Sequence, residues 1–207
     1  MKIETIEVMG LKGAIHGMRN PLNSWAKSDS TENNSETKFN YSLGENDLEL
    51  AKRLCKAGSD HRKFVRMIHV QADITAPTYW IAEHDTYKIA TTRNSCSFQH
   101  KGSSKMFFIE DFEKDEIDTI NNEIWELVLK ELNRLRDLFL ETKNYSYFRA
   151  LRQMLPCGYK ILYTWDATYE TLRNIYHSRK NHKLVEWHIF CDWIKTLPYS
   201  ELITGDL

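Results

Sequence analysis

The chain has 207 residues, enough to bury a substantial core within one domain spanning 1–207. Lys and Arg (28) nearly balance Asp and Glu (29), giving a formal net charge of −1. That excludes a chain built overall to coat nucleic acid or an anionic membrane, so any basic function has to come from a local cluster.

In chain order, Ile3, Ile6 and Val8 predict an opening strand. Residues 24–40 are rich in Ser, Asn, Thr and charge, and predict a mobile surface loop. Asn46 is a candidate cap for a helix running to Lys56, with Leu48, Ala51, Leu54 and Cys55 as its apolar stripe and Gly58 just past its end. Ile68, Val70, Ala72 and Ile74 alternate with His69, Gln71 and Asp73, the pattern of a half-buried strand. Pro77 suits the first turn of a helix over 77–85. The polar stretch 86–104 predicts an irregular loop or broken strand. A long helix is expected over 115–141, because Ile117, Ile120, Ile124, Leu127, Val128, Leu132, Leu135, Leu138 and Phe139 recur at helical spacing. Another follows over 145–155, ended by Pro156 and Gly158, and two more are expected near 167–179 and 183–197. The class is α+β.

No run approaches the roughly 18 apolar residues of a membrane span. Met1-Lys2-Ile3-Glu4 lacks the apolar stretch of a signal peptide, so the expected compartment is the cytoplasm. The four cysteines, Cys55, Cys96, Cys157 and Cys191, are too scattered for a zinc site or redox pair. His84 between Glu83 and Asp85 has no helical partner histidine, and adjacent helical residues point about 100° apart, so no metal is expected there. The eight glycines form no phosphate loop of the dinucleotide or P-loop kind. The densest basic run is Arg173-Asn-Ile-Tyr-His-Ser-Arg-Lys-Asn-His-Lys183. It reads either as a solvated helix end or as a phosphate site, since Arg forks match phosphate oxygens. Tyr79, Trp80, Tyr87, Trp165, Tyr169 and Trp187 are candidate stacking surfaces, with core packing favoured for Trp165 and Trp187.

The run Leu151-Arg-Gln-Met-Leu-Pro-Cys-Gly-Tyr-Lys-Ile-Leu-Tyr-Thr-Trp165 resembles a segment of the flavin-dependent thymidylate synthase (ThyX) family, where an Arg precedes a Leu-Pro pair and a Trp follows the Pro by nine residues. Leu172-Arg-Asn-Ile-Tyr-His-Ser-Arg179 looks like that family's helix ending in Leu-x-Leu-Arg. Val185-Glu-Trp-His-Ile189 looks like its Ala-Gln-Trp-Glu-Ile. Upstream, Gly58 to Arg66, a strand, and Ala76-Pro77 resemble the approach to the family's signature helix. Thr86-Tyr87-Lys88 stands where the family has Arg-His-Arg, and Asn94, Ser95 and Ser97 fall near its Asn-Glu-x-Ser.

The resemblance implies a mixed sheet packed by long helices, the thymidylate synthase-complementing-protein-like fold. It also implies a homotetramer binding FAD between subunits, with NADPH and methylene-tetrahydrofolate as co-substrates and dUMP or a related pyrimidine nucleotide as acceptor. Arg152, Arg179, Ser97 and Ser95 match substrate-side positions; Asn174, Tyr87, Lys88 and Arg66 match flavin-side positions. Gln99 replaces an Arg of the signature, and Arg93 is placed to compensate. Two readings follow: a flavoenzyme of this type, reductively methylating a pyrimidine C5 or performing a diverged C5 modification, or a flavin and nucleotide binder without catalysis. A third, a structural protein touching nucleic acid through its basic run, is disfavoured by the near-neutral charge.

Overall fold

The computed structural model describes residues 1–32, 41–98, 102–114 and 122–205. Four strands form the main sheet in the order β1-β4-β6-β5: β1 (Lys2–Met9), β4 (His69–Pro77), β6 (Lys160–Thr168) and β5 (Thr91–Ser95). The pairing of β4 with β6 is antiparallel. Tyr169 N–H donates to Ile68 C=O at 2.9 Å, Thr164 Oγ1 to Asp73 Oδ1 at 2.6 Å, and Thr78 N–H to Tyr159 C=O at 3.0 Å. The alternation read in β4 is real: Ile68, Val70, Ala72 and Ile74 are all fully buried.

The chain gathers into two compact units. One comprises Met1–Lys2, Ile74–Thr86 and Asn94–Tyr163; the other comprises Ile3–Asp73, Tyr87–Arg93 and Thr164–Leu207. In the first, α3 (Thr78–His84) follows β4, and the long α4 (Asn122–Thr142) turns back through Lys143 into α5 (Tyr145–Met154). Lys143 adopts φ 56°, the left-handed geometry of a helix stop. Asn144 caps α5 by accepting from Ser146 N–H at 3.0 Å. The facing helices bury Leu132, Leu135, Phe148 and Leu151 together with Phe107 and Phe112. The part of the expected long helix over 115–121 lies outside the described residues.

The second unit contains α1 (Leu11–Arg19), the short antiparallel pair β2 (Thr31–Glu32) and β3 (Tyr41–Ser42), and the helices α2 (Glu45–Lys56), α6 (Tyr169–Arg179), α7 (Val185–Lys195) and α8 (Glu201–Thr204). Within 24–32 the expected loop carries a single 3-10 turn, Trp25–Lys27, and β2; residues 33–40 lie outside the described residues.

Two expectations are corrected. Asn46 does not cap α2; the N-cap is Gly44, and the Asp29 carboxylate takes the exposed amides of Asn46 (2.9 Å) and Asp47 (3.1 Å). A cap delivered from 17 residues upstream in sequence leaves no local signature. Helix α6 begins at Tyr169 rather than 167, because residues up to Thr168 belong to β6, a strand the sequence reading missed. Its alternation was present: Tyr163, Trp165 and Ala167 are buried, while Leu162 and Thr164 are exposed. Among the described residues no helix is long and apolar enough to cross a membrane.

Asp47 is fully buried at the start of α2. It accepts from Arg19 Nε at 2.6 Å, from Ser28 and Ser30 hydroxyls at 2.6 Å each, and from the amides of Asp29 and Ser30 at 3.2 Å. Burial alone raises a carboxyl pKa; here the bonds from Ser28, Ser30 and Arg19, with the Arg19 charge, outweigh it and hold Asp47 below its ordinary value. This group therefore contributes stability in full above its unfolded pKa of about 3.9, and the contribution is lost as pH falls through the depressed folded value. Asp47→Ala, which strands Arg19 in the interior, is expected to cost about 3–5 kcal/mol in urea denaturation at neutral pH. The deficit relative to wild type should narrow toward pH 2. A deficit independent of pH would contradict an ionised Asp47.

Candidate functional site

Helix α6 is set by its first turn. Tyr169 N–H is taken by Ile68 C=O, and the Thr168 hydroxyl accepts from Thr171 N–H at 3.3 Å. Leu172 and Ile175 are fully buried, so the helix cannot rotate about its axis without exposing them. Thr171 Oγ1 donates to Ile89 C=O at 2.9 Å, fastening the 87–93 segment to the start of α6.

At the other end of α6, Arg179 Nε donates to Tyr87 Oη at 2.8 Å across 92 residues of sequence. The guanidinium lies 4.7 Å from the Trp187 ring centroid and 5.6 Å from that of Tyr87. Both distances fall within cation–π range. Trp187, fully buried on α7, meets Tyr87 edge-on at 6.0 Å and 74° and His182 at 6.2 Å. Two residues matched to opposite sides of one site, Arg179 and Tyr87, are thus in direct contact. Trp187 packs in the core as expected, and also serves as a platform for Arg179.

In the other unit, the Arg152 guanidinium lies 5.2 Å from the Phe98 ring centroid, and Phe98 follows Ser97 directly. Ser97 and Phe98 line a cavity of about 460 Å³, together with Ser104, Lys105, Asp111 and Tyr159. Lys105 is paired with Asp111 at 2.5 Å. Burial, reinforced by the Asp111 carboxylate, pushes the Tyr159 phenol above its usual pKa and keeps it a neutral donor, although Lys105 opposes the shift. The cavity is within the usual size range for a small-molecule site.

The remaining matched residues are not gathered by visible bonds. Asn174 is exposed on α6, Ser95 is exposed on β5, and Lys88 is exposed beside Tyr87. Arg66 is exposed and reaches back to Ser59 C=O at 3.5 Å. Gln99 lies outside the described residues.

The basic run is a solvated helix end only in part: Lys180 and Lys183 are exposed, whereas Arg173 is turned inward. Arg173 is 1% exposed and donates Nη1 to the carbonyls of Leu202 (3.3 Å) and Ile203 (3.1 Å). It holds the α8 backbone where no local partner exists. Burial first, then Arg173 and Lys180, lower the His177 pKa and favour the neutral ring. Burial pushes the Cys55 and Cys191 thiols up to about 11, which makes them poor nucleophiles. His84 is buried, stacked on Trp80 at 4.7 Å and 3.3 Å from Tyr163 Oη.

Two polar pairs were missed. His69 Nδ1 lies 3.0 Å from Asp166 Oδ1 on the paired strands, and Arg62 grips Glu170 with Nε and Nη2 at 3.0–3.2 Å. The outward-facing polar alternation of β4 signalled His69, but its partner was invisible without β6.

Mixed helices on an antiparallel sheet match the fold of solved flavin-dependent thymidylate synthases. The solved structures it matches include two of the ThyX enzyme of Helicobacter pylori, each with FAD and dUMP. One aligns at TM-score 0.72 and 16% identity, the other at 0.74 and 15%; both cover 100% of this chain and 98% of theirs. No family model and no curated protein sequence matches the chain.

Tyr87→Phe removes the acceptor for Arg179 while keeping the ring. The expected loss is about 1.5–3 kcal/mol, as for a hydrogen bond to a charged group. It is read as a lower urea midpoint at unchanged slope. An unchanged midpoint would show that this bond contributes nothing to the fold.

Proposed function

We propose that this protein binds FAD and a pyrimidine nucleotide, as a flavoenzyme of the flavin-dependent thymidylate synthase type acting on dUMP or a related nucleotide. The observation that carries the reading is the contact of Arg179 with Tyr87. A residue matched to the pyrimidine and a residue standing in the signature triplet meet, from segments 92 positions apart. The donor set suits such ligands. Arg179 offers a planar cation backed by aromatic rings. Arg152 and Ser97 offer a cation and a hydroxyl for a phosphate, and exposed Asn174 offers both a donor and an acceptor. FAD, when bound, supplies hydride transfer; the chain's residues position and polarise what is bound. NADPH and methylene-tetrahydrofolate are the co-substrates this reading implies, and a homotetramer is the assembly it implies.

The replaced triplet favours a second reading, a binder without thymidylate synthesis. Arg-His-Arg would present two rigid, always-charged forks and an imidazole. Thr86-Tyr87-Lys88 presents a hydroxyl, a phenol that accepts from Arg179, and one flexible point charge. Holding two reactants in line contributes several kcal/mol to a reaction only where the contacts are rigid.

Purified protein is expected to carry flavin, seen as visible absorbance that survives desalting. With dUMP, methylene-tetrahydrofolate, FAD and NADPH, methylation is expected to be slow or absent. Turnover of about 0.1 s⁻¹ or more, a threshold set about tenfold below the lower edge of ordinary enzymes, would show that Tyr87, Lys88 and Arg93 replace the signature. Arg152→Ala should weaken nucleotide binding about tenfold or more, the equivalent of about 1.5–3 kcal/mol for a charge-assisted bond. Wild-type affinity in that variant would remove Arg152 from the site. A colourless protein that takes up no FAD would overturn the whole reading.

A further inference from the structure

With net charge near zero, a basic function requires a local cluster, and the densest basic run in the sequence is turned inward at Arg173. The exposed cations instead collect elsewhere in the same unit. Along α2, Glu49, Lys52, Arg53 and Lys56 follow the i, i+3, i+4, i+7 spacing of one helix face. They line a cavity of about 820 Å³ together with Lys27 and Arg19.

Five cations from three elements therefore face one cavity with a single carboxylate. Arg19 is compensated by Asp47 at 2.6 Å, and Lys52 is shared with Glu201 at 3.6 Å. Among the described residues, Lys27, Arg53 and Lys56 have no ion-pair partner. The dipole of α2 favours Arg53 and Lys56 in its last turn, which would account for those two as a merely solvated face. It accounts for neither Lys27 nor Arg19, which arrive from other elements.

The cluster is also prebuilt. Asp47 binds Arg19 directly, and the Ser28 hydroxyl, the Asp29 amide and Ser30 bind the same carboxylate. One buried group thus fixes both the arginine and the segment that carries Lys27. Arg19 Nη1 is further tied to Ser24 C=O at 3.3 Å. Like charges held this close repel one another, and an anion in the cavity relieves that repulsion. The volume exceeds what one phosphate fills and suits a ligand with several.

We propose that this groove, formed by α2 and the 19–27 segment, binds a small oligophosphate-bearing ligand. Lys27, Arg53 and Lys56 contact the phosphates, and Arg19 lies at the base.

The test titrates inorganic tripolyphosphate into the full chain by calorimetry, with amide shifts followed by NMR. Saturable binding is expected, weakening as salt rises. Shifts should concentrate in Trp25–Ser28 and α2. Lys27→Ala and Arg53→Ala should each weaken binding about tenfold, and the charge reversal Lys56→Glu more so. Lys130→Ala, an exposed cation on α4, should bind as wild type. Circular dichroism confirms that each variant is folded. The proposal fails if tripolyphosphate shows no saturable binding at millimolar concentration, or if the groove variants bind as wild type. It fails equally if Lys130→Ala weakens binding as much as they do, or if a single-stranded oligonucleotide binds where tripolyphosphate does not.

Discussion

The antiparallel register of β4 on β6 is the constraint on which the candidate site depends. Ile68 stands opposite Tyr169, Asp73 opposite Thr164 and Thr78 opposite Tyr159. Both helices that continue from these strands begin at the ends of that ladder. The first amides of a helix have no intrahelical acceptor; here Thr78 N–H and Tyr169 N–H are each taken by a carbonyl of the facing strand. A slip of one residue would turn Trp165 and Ala167 to the opposite face and strand both helix starts. The direction of α6, and so the position of Arg179 at its end, is inherited from the sheet.

What was legible in the sequence follows from how local each cause is. β4 and the helices α4 and α5 were readable because their apolar positions repeat at the period of the structure they form. The α2 cap was not, since the capping carboxylate comes from Asp29. β6 was obscured because Lys160–Trp165 sits inside a run read for its motif, and Ala167 and Thr168 were taken into the helix that follows. Arg173 was misread because only the chain's return through Leu202 and Ile203 supplies the carbonyls that bury it. Resemblance singled out Arg179 and Tyr87 separately, but their contact was not foreseen; composition and spacing do not link residues 92 positions apart.

Three arginines show how environment assigns a role that residue type leaves open. Arg19 is neutralised by a buried carboxylate and organises a loop. Arg173 satisfies two main-chain carbonyls and locks a terminal helix. Arg179 is held by a phenol and two aromatic faces at the end of its helix. Lysine would serve poorly in the third setting, because a compact ammonium cannot keep a planar face against Trp187 while directing one N–H to Tyr87.

Little of the core rests on the triplet Thr86-Tyr87-Lys88. Helix α3 ends at His84, and its packing is carried by Trp80, Ile81 and His84, all upstream of residue 86. Thr86 and Lys88 are exposed, and the Thr86 hydroxyl donates back to Glu83 C=O at 2.7 Å. Tyr87 alone of the three reaches a structural partner, and it does so through a ring and hydroxyl that arginine or histidine would not reproduce at the same place. Folding therefore constrains the middle position more than the exposed outer two. A triplet with one fixed aromatic and two exposed polar neighbours is suited in shape to stacking against a planar group. It is poorly suited to clamping charge from both sides, because Thr86 carries no charge and Lys88 is a flexible point charge.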